Sequence, residues 1–304
     1  MSYFQSENYY NLISCLKSIK VYQTTYADLK LISIESTNLI KKYFSCRNLI
    51  IDPEINKFKK ALNYEELKMI SGLNRKAIFT ELRFHKDISD IESNLSGKNI
   101  YRSDYYNILV NTQKAEKELF DTISSSKKRQ IKSSVKNNLK VILADNEKDV
   151  IDFYNILHNH YKKKVKKPVY PLDFFLSFFR EKENGFIFIA KYNEKVIGGM
   201  LAPVFENEII YEWYIAAEDI EYKAKGIYPS VLITWEVIKF ASINGFKTFD
   251  FMGAGPVDKD YGVRQFKLQF GGELIKTARI RLIHKPFLFK IGEIAIQLGF
   301  GNLA

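Results

Sequence analysis

The sequence predicts a mixed α/β protein of two domains. Short apolar runs of strand type alternate with longer amphipathic segments, the chain has 304 residues, and 46% of them are hydrophobic. A chain of this length can bury enough apolar surface for about two domains of roughly 150 residues each. We place the boundary after residue 122, which gives domains at 1–122 and 123–304.

The strand signals of the first domain are short. Leu49–Ile51 comes directly before an Asp-Pro turn, and β-branched and aromatic residues at 77–83 and 106–110 predict two further strands. Between the first two of these strands, residues 55–70 have the apolar spacing of a helix. The first domain is therefore also predicted to mix helices and strands.

From residue 116 onwards the alternation is more regular. Helices are predicted at 116–138, with Ser124–Ser126 as a cap or break, and at 149–165, 174–180, 229–243 and 263–270. Tyr161 has core spacing in the helix at 149–165, and the helix at 229–243 is predicted to face inward with Val231, Leu232, Trp235 and Ile238. Strands are predicted at 141–144, 186–190, 195–201, 208–214 and 248–252. The strand at 248–252 follows a helix, so its carboxyl end lies where open α/β sheets place their ligands.

Composition narrows the functional class. No apolar run approaches the roughly 20 residues that a membrane span needs. The start of the chain lacks the layout of a signal peptide. Cys15 and Cys46 form no metal-ligand or redox motif, as expected of a reducing compartment. We therefore expect a cytoplasmic protein without a metal site.

The positive charge is concentrated in the middle of the chain. The formal net charge is +11, and the segment from Lys127 to Lys167 holds 12 basic residues against 4 acidic ones, a net +8. Such a patch attracts nucleic acid, nucleotide diphosphates or acidic head groups. The alternative is a solvated helical face without a ligand.

The segment from Asp250 to Leu274 is the least like ordinary scaffold. Gly253-Ala-Gly255 fails as a dinucleotide fingerprint, because Asp258 stands where the third glycine belongs. Glycines at a strand end more often serve a turn that lets the backbone approach something closely. The strand end is therefore the place where we expect the site.

Five segments, in order, resemble the FemAB-like family. They are Ser125–Lys132, Lys195–Met200, Trp213–Ala217, Asp250–Gly255 and Asp260–Glu273. The resemblance implies two tandem GNAT-like acyltransferase domains and the addition of amino acids to peptidoglycan precursors. Before residue 125 it is carried mainly by Thr80–Arg83, and the coiled-coil arm of some members is not visible.

Residues 263–270 are predicted to bury Val263, Phe266 and Phe270 as an apolar stripe. Arg264 and Lys267, three residues apart, then share an adjacent face of the helix. One interpretation pairs these two cations with surface acids, namely Asp258 or Asp260.

The other interpretation turns Arg264 and Lys267 towards a ligand. Lys267 has the Phe-Lys-x-x-Phe setting of the family's catalytic lysine, so the resemblance implies a catalytic role. A desolvated ammonium there can stabilise an oxyanion or the leaving ribose oxygen. Arg264 would then bind the charged substrate.

Tyr214 lies on the strand where GNAT-like folds splay to admit the acyl group, and the resemblance implies a catalytic role for it. The alternative is an ordinary sheet aromatic. Glu212 has the same parity and is predicted to share its face, so either can orient the acceptor amine. The remaining candidates for substrate binding are Gly253, Asp258, Tyr261, Lys127, Lys128 and Arg129.

Residues 223–228 bear on the acyl donor. Acetyl-CoA-dependent relatives carry [Gln/Arg]-x-x-Gly-x-[Gly/Ala] here, and backbone N–H groups at the helix start hold the pyrophosphate. This chain keeps Gly226 but has Tyr228 where glycine or alanine belongs. We therefore predict aminoacyl-tRNA as the donor, with acyl-CoA as a co-substrate the alternative.

These observations predict a monomeric, cytoplasmic aminoacyltransferase that acts on an amine of a peptidoglycan precursor and needs no metal or organic cofactor. One alternative is an N-acyltransferase that uses acyl-CoA on an amino sugar or another small amine. A second is a nucleic-acid-binding protein on the same scaffold. The apolar residues 286–300 either pack on their own domain or make a peripheral contact with the inner face of the membrane.

Overall fold

The computed structural model describes residues 2–16, 20–26, 29–36, 47–53, 77–88, 99–165 and 169–297. The helices are α1 (Glu7–Ser14), α2 (Glu116–Thr122), α3 (Ser125–Lys136), α4 (Glu147–His160), α5 (Leu172–Arg180), α6 (Asp219–Tyr222), α7 (Pro229–Ile243), α8 (Gly262–Leu268) and α9 (Pro286–Gln297). The strands are β1 (Lys20–Tyr26), β2 (Leu29–Ser36), β3 (Arg47–Ile51), β4 (Phe79–Arg83), β5 (Ile100–Asn111), β6 (Lys140–Leu143), β7 (Gly185–Tyr192), β8 (Lys195–Phe205), β9 (Ile209–Tyr211), β10 (Tyr214–Ala217), β11 (Thr248–Asp250) and β12 (Glu273–Ile283). The mixed α/β class is confirmed.

The chain forms two compact units. Unit 1 comprises residues 1–106, 256–258 and 276–304, and unit 2 comprises 107–255 and 259–275. Strands β5 and β12 contribute residues to both units. Compactness alone does not assign a GNAT-like domain, so the boundary between residues 122 and 123 stays a prediction.

Unit 1 is built on the strand order β1-β2-β3-β4-β12-β5, in which β3 and β4 are parallel. Gln5 ties two of its strands together, because its side chain donates to the carbonyl of Ile51 at 2.7 Å and accepts from the amide of Ile32 at 2.9 Å. One buried cluster lies along the sheet, and its members are Leu31, Ile50, Leu82, Phe84, Ile88, Ala278, Ile280 and Leu282.

Unit 2 is built on the strand order β5-β11-β9-β8-β7-β6, with β10 paired to β8. Strand β11 runs antiparallel to β5 and parallel to β9. Helix α7 is buried at all four residues predicted to face inward, Val231, Leu232, Trp235 and Ile238. Because α7 is packed into the core, the loop before it and strand β11 after it are held in fixed positions.

The predicted strand at 208–214 is wrong in one respect, because it is interrupted by a bulge. Ile210 pairs with Val204 and Tyr214 pairs with Leu201, so four steps on β9–β10 oppose three steps on β8. An extra residue of this kind redirects the side chains beside it. The alternation that was predicted to place Glu212 and Tyr214 on one face is therefore broken between them.

Several predicted boundaries also move. The helix predicted at 149–165 begins at Glu147, because Asn146 caps it by accepting from the amide of Asp149. Its last residues, Tyr161–Val165, form a π-helical turn. The strand predicted to reach Met252 ends at Asp250, because Met252 has a φ of 56°.

The predicted break at Ser124–Ser126 is confirmed, since α2 ends at Thr122 and the side chain of Ser124 caps α3.

The helix predicted at 55–70 lies outside the described residues. Among the described helices, none is both long and apolar enough to cross a membrane.

The C-terminal helix α9 divides its apolar side chains between two environments. The ring of Phe289 packs against Phe79 at 5.4 Å and stacks on Tyr101. Phe287 and Ile291, in contrast, are exposed. The helix thus packs partly on unit 1, and the peripheral membrane contact stays a prediction.

Candidate active site

The site is built around a sharp turn that follows β11. Met252 has a φ of 56° and Gly253 a φ of 107°, so the backbone reverses where glycine is needed. Two buried polar side chains hold this turn. Asp250 accepts from the amide of Met252 at 2.6 Å, and Asn107 accepts from the amide of Gly253 at 2.7 Å while donating to Asp250.

Lys267 enters this turn from helix α8 and is almost completely buried. Its ammonium donates to the carbonyls of Phe251 at 2.6 Å and Gly253 at 3.0 Å. It also lies 3.0 Å from Oε1 of Glu212, and the two side chains are 10% and 3% exposed. Three acceptors match the three N–H bonds of an ammonium, so Lys267 fixes the turn and the carboxylate together.

The surface pairing of Lys267 with Asp258 or Asp260 is therefore wrong, because the lysine pairs with buried Glu212 instead. Arg264 does share the direction of Lys267, as predicted. It donates to the carbonyl of Ala254 at 2.9 Å and to that of Lys259 at 3.2 Å. Both cations hold backbone of the same turn, and their roles towards a ligand stay predictions.

The predicted apolar stripe is confirmed at Phe270, which packs against Phe266, and is wrong at Val263. Val263 is 44% exposed, whereas Lys267 and Phe270 are buried. The inward face of the helix includes Lys267. The cost of burying its ammonium is offset by the buried carboxylate of Glu212. The apolar spacing of the sequence could not show that partner.

Glu212 lies in the bulge between β9 and β10. Its amide donates to the carbonyl of Asp250 at 2.8 Å, which brings its side chain to the end of β11. Burial raises the pKa of Glu212, and the positive charge of Lys267 acts against that shift. Oε1 contacts Lys267, but no donor among the described residues reaches the buried Oε2. One carboxylate oxygen is thus ready to accept a hydrogen bond or a proton.

Tyr161 is a site residue that the sequence did not reveal. It begins the π-helical turn after α4, and its ring packs edge-on against Tyr214 at 5.7 Å. Burial, and then the negative charge of Glu212, raise the pKa of Tyr161 to about 12. Its hydroxyl therefore stays protonated beside the carboxylate. The sequence predicts Tyr161 only as a core-facing residue of a helix, and helical spacing cannot show that Tyr214, on a distant strand, packs against it.

Tyr214 is buried in an aromatic cluster. Its ring lies 5.5 Å from Trp213 and 5.6 Å from Phe175, in addition to Tyr161. The stacking of two consecutive residues, Trp213 and Tyr214, reflects the bulge beside them. The structure thus brings Tyr214 to the site, and its catalytic role stays a prediction.

Gly253 faces open space. A Cβ atom added there would meet nothing within 4 Å, so a ligand has room to approach the backbone. At Gly255 a Cβ would lie 2.4 Å from the ring of Tyr261, which covers that side of the turn. Asp258, in contrast, is exposed and belongs to unit 1. The substrate contacts predicted for these residues stay predictions.

The three basic residues at the start of α3 lie in different environments. Lys127 is only 8% exposed, with its ammonium 4.2 Å from the ring centre of Phe266, and burial lowers its pKa. Lys128 donates to the carbonyl of Asp121, and Arg129 is exposed. Lys127 is thus less accessible than Arg129, and phosphate binding by all three residues stays a prediction.

The start of helix α7 is occupied by the chain itself. The hydroxyl of Ser134 accepts from the amide of Tyr228 at 2.9 Å. Pro229 has no amide hydrogen, and the carboxylate of Asp219 accepts from the amide of Ser230 at 3.1 Å. The hydroxyl of Ser133 donates to the carbonyl of Gly226 at 2.7 Å. The N–H groups named here are thus already bonded within the protein.

A cavity of about 570 Å³ opens at the other end of β11. Its lining includes Lys114, Glu208, Lys247 and Thr248. None of the predicted site residues line it, so we place the chemistry at the carboxyl end of β11 rather than in this cavity.

The Lys267–Glu212 pair should dominate the stability of the turn. Lys267→Met leaves a carboxylate buried without its cation, and we expect a loss of about 3–5 kcal/mol in the free energy of unfolding. The loss should be larger at pH 8 than at pH 5.5. The raised pKa of Glu212 makes protonation favour the folded state, and this contribution disappears as the pH rises through the folded pKa. Urea unfolding of the native chain and the variant at both pH values measures this loss of stability.

The control is the double variant Lys267→Met/Glu212→Gln, which removes both charges. It should recover most of the stability and show the same loss at both pH values. An equal loss for the single and double variants would mean that the buried charge is not the source.

Comparison with known proteins identifies the domain that holds this site. Residues 125–267 match the acetyltransferase (GNAT) domain family. No curated protein sequence matches the chain significantly. Among solved structures, FemX is similar at 12% identity and a TM-score of 0.68, over 95% of this chain and 94% of FemX.

Two other structures share the fold. One is the C-terminal domain of an Agrobacterium fabrum protein assigned as a lysylphosphatidylglycerol synthetase, at 9% identity and a TM-score of 0.59, over 92% of this chain and 88% of that one. The other is a tandem GNAT protein from the clavulanic acid biosynthesis pathway, at 6% identity and a TM-score of 0.56, over 88% and 84%. Residues 125–267 thus form a GNAT-type acetyltransferase domain, and the chain has the fold of FemX and of the tandem GNAT protein and resembles the FemAB-like family, as its motifs predicted.

Proposed function

We propose that the chain transfers an aminoacyl group from aminoacyl-tRNA to an amine of a peptidoglycan precursor. The observation that carries this proposal is the start of helix α7, where the amides of Tyr228 and Ser230, which could hold a CoA pyrophosphate, are bonded within the protein. The type of reaction is inferred from the resemblance to the FemAB-like family. The structural similarity to FemX supports the same inference.

A pyrophosphate at α7 would compete with two internal partners. It would have to displace Ser134 from the amide of Tyr228 and Asp219 from the amide of Ser230. It would also meet the negative charge of Asp219, which occupies the positive end of the helix dipole. Tyr228 adds bulk where acetyl-CoA-dependent relatives carry glycine or alanine. Electrostatics and space therefore both disfavour a CoA donor.

The geometry at the end of β11 supports transfer to an amine. The amine nitrogen forms a bond to the ester carbonyl carbon, and the bond to the ribose oxygen breaks. One proton must leave the nitrogen and one must reach the ribose oxygen. Oε2 of Glu212 is the buried acceptor without a partner among the described residues, so it is suited to take the first proton.

Two neighbours support that role for Glu212. Lys267 holds the carboxylate through Oε1 and leaves Oε2 turned away from it. Tyr161, protonated at neutral pH, can donate a hydrogen bond to the reacting oxygen or relay a proton to the ribose oxygen. For Lys267 to stabilise the oxyanion directly, it would have to release one of its three acceptors.

The exposed part of the basic segment supports a polyanionic donor. Arg129, Lys132 and Lys136 are all exposed and recur at helical spacing on α3. Lys162, Lys163 and Lys164 are exposed in the π turn that begins with Tyr161. Positive charge thus adjoins the segment that carries a site residue, as binding of a phosphate backbone requires.

The direct test offers the donors side by side. The protein is incubated with a pool of charged tRNA and a muropeptide precursor, and separately with acetyl-CoA and the same precursor, and products are read by mass spectrometry. We expect the precursor to gain the mass of an amino acid residue only with charged tRNA. Glu212→Gln should lower kcat by at least about tenfold. Transfer from acetyl-CoA would instead establish the N-acyltransferase, and transfer from neither donor would leave a nucleic-acid-binding protein.

Coenzyme A should not bind until the charge of Asp219 and the bulk of Tyr228 are removed from the start of α7. We expect no heat of CoA binding with the native chain, and measurable binding after Asp219→Asn and Tyr228→Gly are combined, because both the competing charge and the bulk are then gone. Titration calorimetry measures it. The matched control is Glu221→Gln, which removes an exposed charge from the same helix α6. Micromolar binding by the native chain would refute the steric and electrostatic argument.

Binding of tRNA should depend on salt through α3. Replacing Arg129, Lys132 and Lys136 by Gln should weaken binding and reduce the slope of log K against log salt by about 0.7–0.9 for each phosphate that the variant no longer neutralises. Filter binding at several salt concentrations measures the slope. Replacing Lys20 and Lys86, two exposed lysines of unit 1, serves as the control for net charge. Equal slopes for the native chain and the α3 variant would mean that these three residues of α3 face solvent and do not contact the tRNA phosphates.

A further inference from the structure

One face of the unit 1 sheet carries a group that we call the arginine cluster: Arg47, Arg83, Arg279 and Arg281 around Glu81. In the antiparallel register of β4 and β12, Arg279 pairs with Arg83 and Arg281 with Glu81. Residues two apart on a strand share a face, and so do paired residues. The intervening residues, including Leu82 and Ile280, form the apolar cluster of unit 1.

Both oxygens of the Glu81 carboxylate are engaged by arginines of this cluster. Arg83 lies 2.6 Å from Oε1 of Glu81, and Arg281 lies 2.9 Å from Oε2. Arg47 approaches Oε1 only to 3.9 Å. Arg279 stacks instead on the ring of Tyr105 at 4.0 Å. Within the described residues, no carboxylate lies within ion-pair distance of Arg279.

The cluster therefore holds more positive charge than it neutralises. Burial opposes ionisation of Glu81, but Arg83, Arg47 and the other two guanidinium groups hold its pKa at about 2. Burial, and then repulsion by Arg83, lower the pKa of both Arg47 and Arg279. Among the described residues, Arg83, Arg279 and Arg281 carry three positive charges against the single negative charge of Glu81, and a net charge of about +2 is costly in a partly buried place.

Solvent reaches this charge. The side chains of Arg83 and Arg281 are 25% and 36% exposed, whereas Glu81 is 2% exposed. The guanidinium groups thus form the accessible rim, and the carboxylate lies beneath them. An anion arriving from solvent meets donors first.

We propose that the arginine cluster binds a phosphoryl or diphosphoryl group through Arg83, Arg279 and Arg281. Planar guanidinium groups present paired N–H donors that match phosphate oxygens, and Arg is favoured over Lys wherever such binding is bidentate. A dianion would offset the surplus charge that Glu81 leaves. This site lies in unit 1 and goes beyond the proposed transfer reaction, so it can be tested without it.

Two sources share this chemistry, and the test separates them. Thermal unfolding of the full chain is followed with increasing inorganic pyrophosphate and, in a second series, with uridine diphosphate, at constant ionic strength set with NaCl. We expect the melting temperature to rise in both series. A larger rise with the nucleotide would show that the site also contacts the nucleoside.

Variants assign the rise to the cluster. Arg279→Gln should weaken the apparent affinity by at least about tenfold, as for loss of a charged hydrogen-bond donor. Arg180→Gln, which removes an exposed arginine of unit 2, should leave it unchanged. Glu81→Gln should tighten binding, because it removes the carboxylate that competes for the same donors. If Arg279→Gln does not fold, the more exposed Arg281→Gln takes its place.

Two outcomes would overturn the proposal. One is an absence of any rise beyond that given by NaCl alone. The other is an equal rise in the native chain, the cluster variant and the Arg180→Gln control, which would leave the arginine cluster as a structural network.

Discussion

The candidate site depends on one buried cation. The ammonium of Lys267 joins helix α8 to the turn after β11 through two carbonyls, and to the bulge before β10 through Glu212. Without that charge, two carbonyl oxygens and a carboxylate would converge with no cation between them. The positive φ angles of the turn and the irregular strand both become tolerable because a single atom satisfies their polar groups.

The two polar regions of unit 2 contrast in how fully their groups are bonded. At the start of α7, the amides of Tyr228 and Ser230 are occupied by Ser134 and Asp219. At the end of β11, one oxygen of Glu212 remains unbonded among the described residues. Folded proteins bond almost every buried polar atom, so an exception indicates a place held ready for a ligand or a proton. The two regions therefore differ in the polar groups that they leave open to a ligand.

The sequence predicted those parts of the molecule that local patterns determine. The inward face of α7 and the cap at Ser124 follow from apolar spacing and residue type. The burial of Lys267 does not, because its partner lies 55 positions away along the chain and apolar spacing favoured Val263. Tyr161 was missed as a site residue because its contact with Tyr214 joins a helix end to a distant strand. Contacts between distant strands, such as Arg281 with Glu81, are likewise invisible to local periodicity.

Strand β12 constrains the order in which the protein can mature during synthesis. In unit 1 it lies between β4 and β5, yet it is the last of the described strands to leave the ribosome. The residues of unit 2 are complete at position 275, before residues 279–283 can pair with β4. The amino-terminal unit is thus translated first and closed last, and until then β4 presents an unpaired edge of the kind that associates with other chains. Any nascent chain released before residue 279 would carry that open edge into solution.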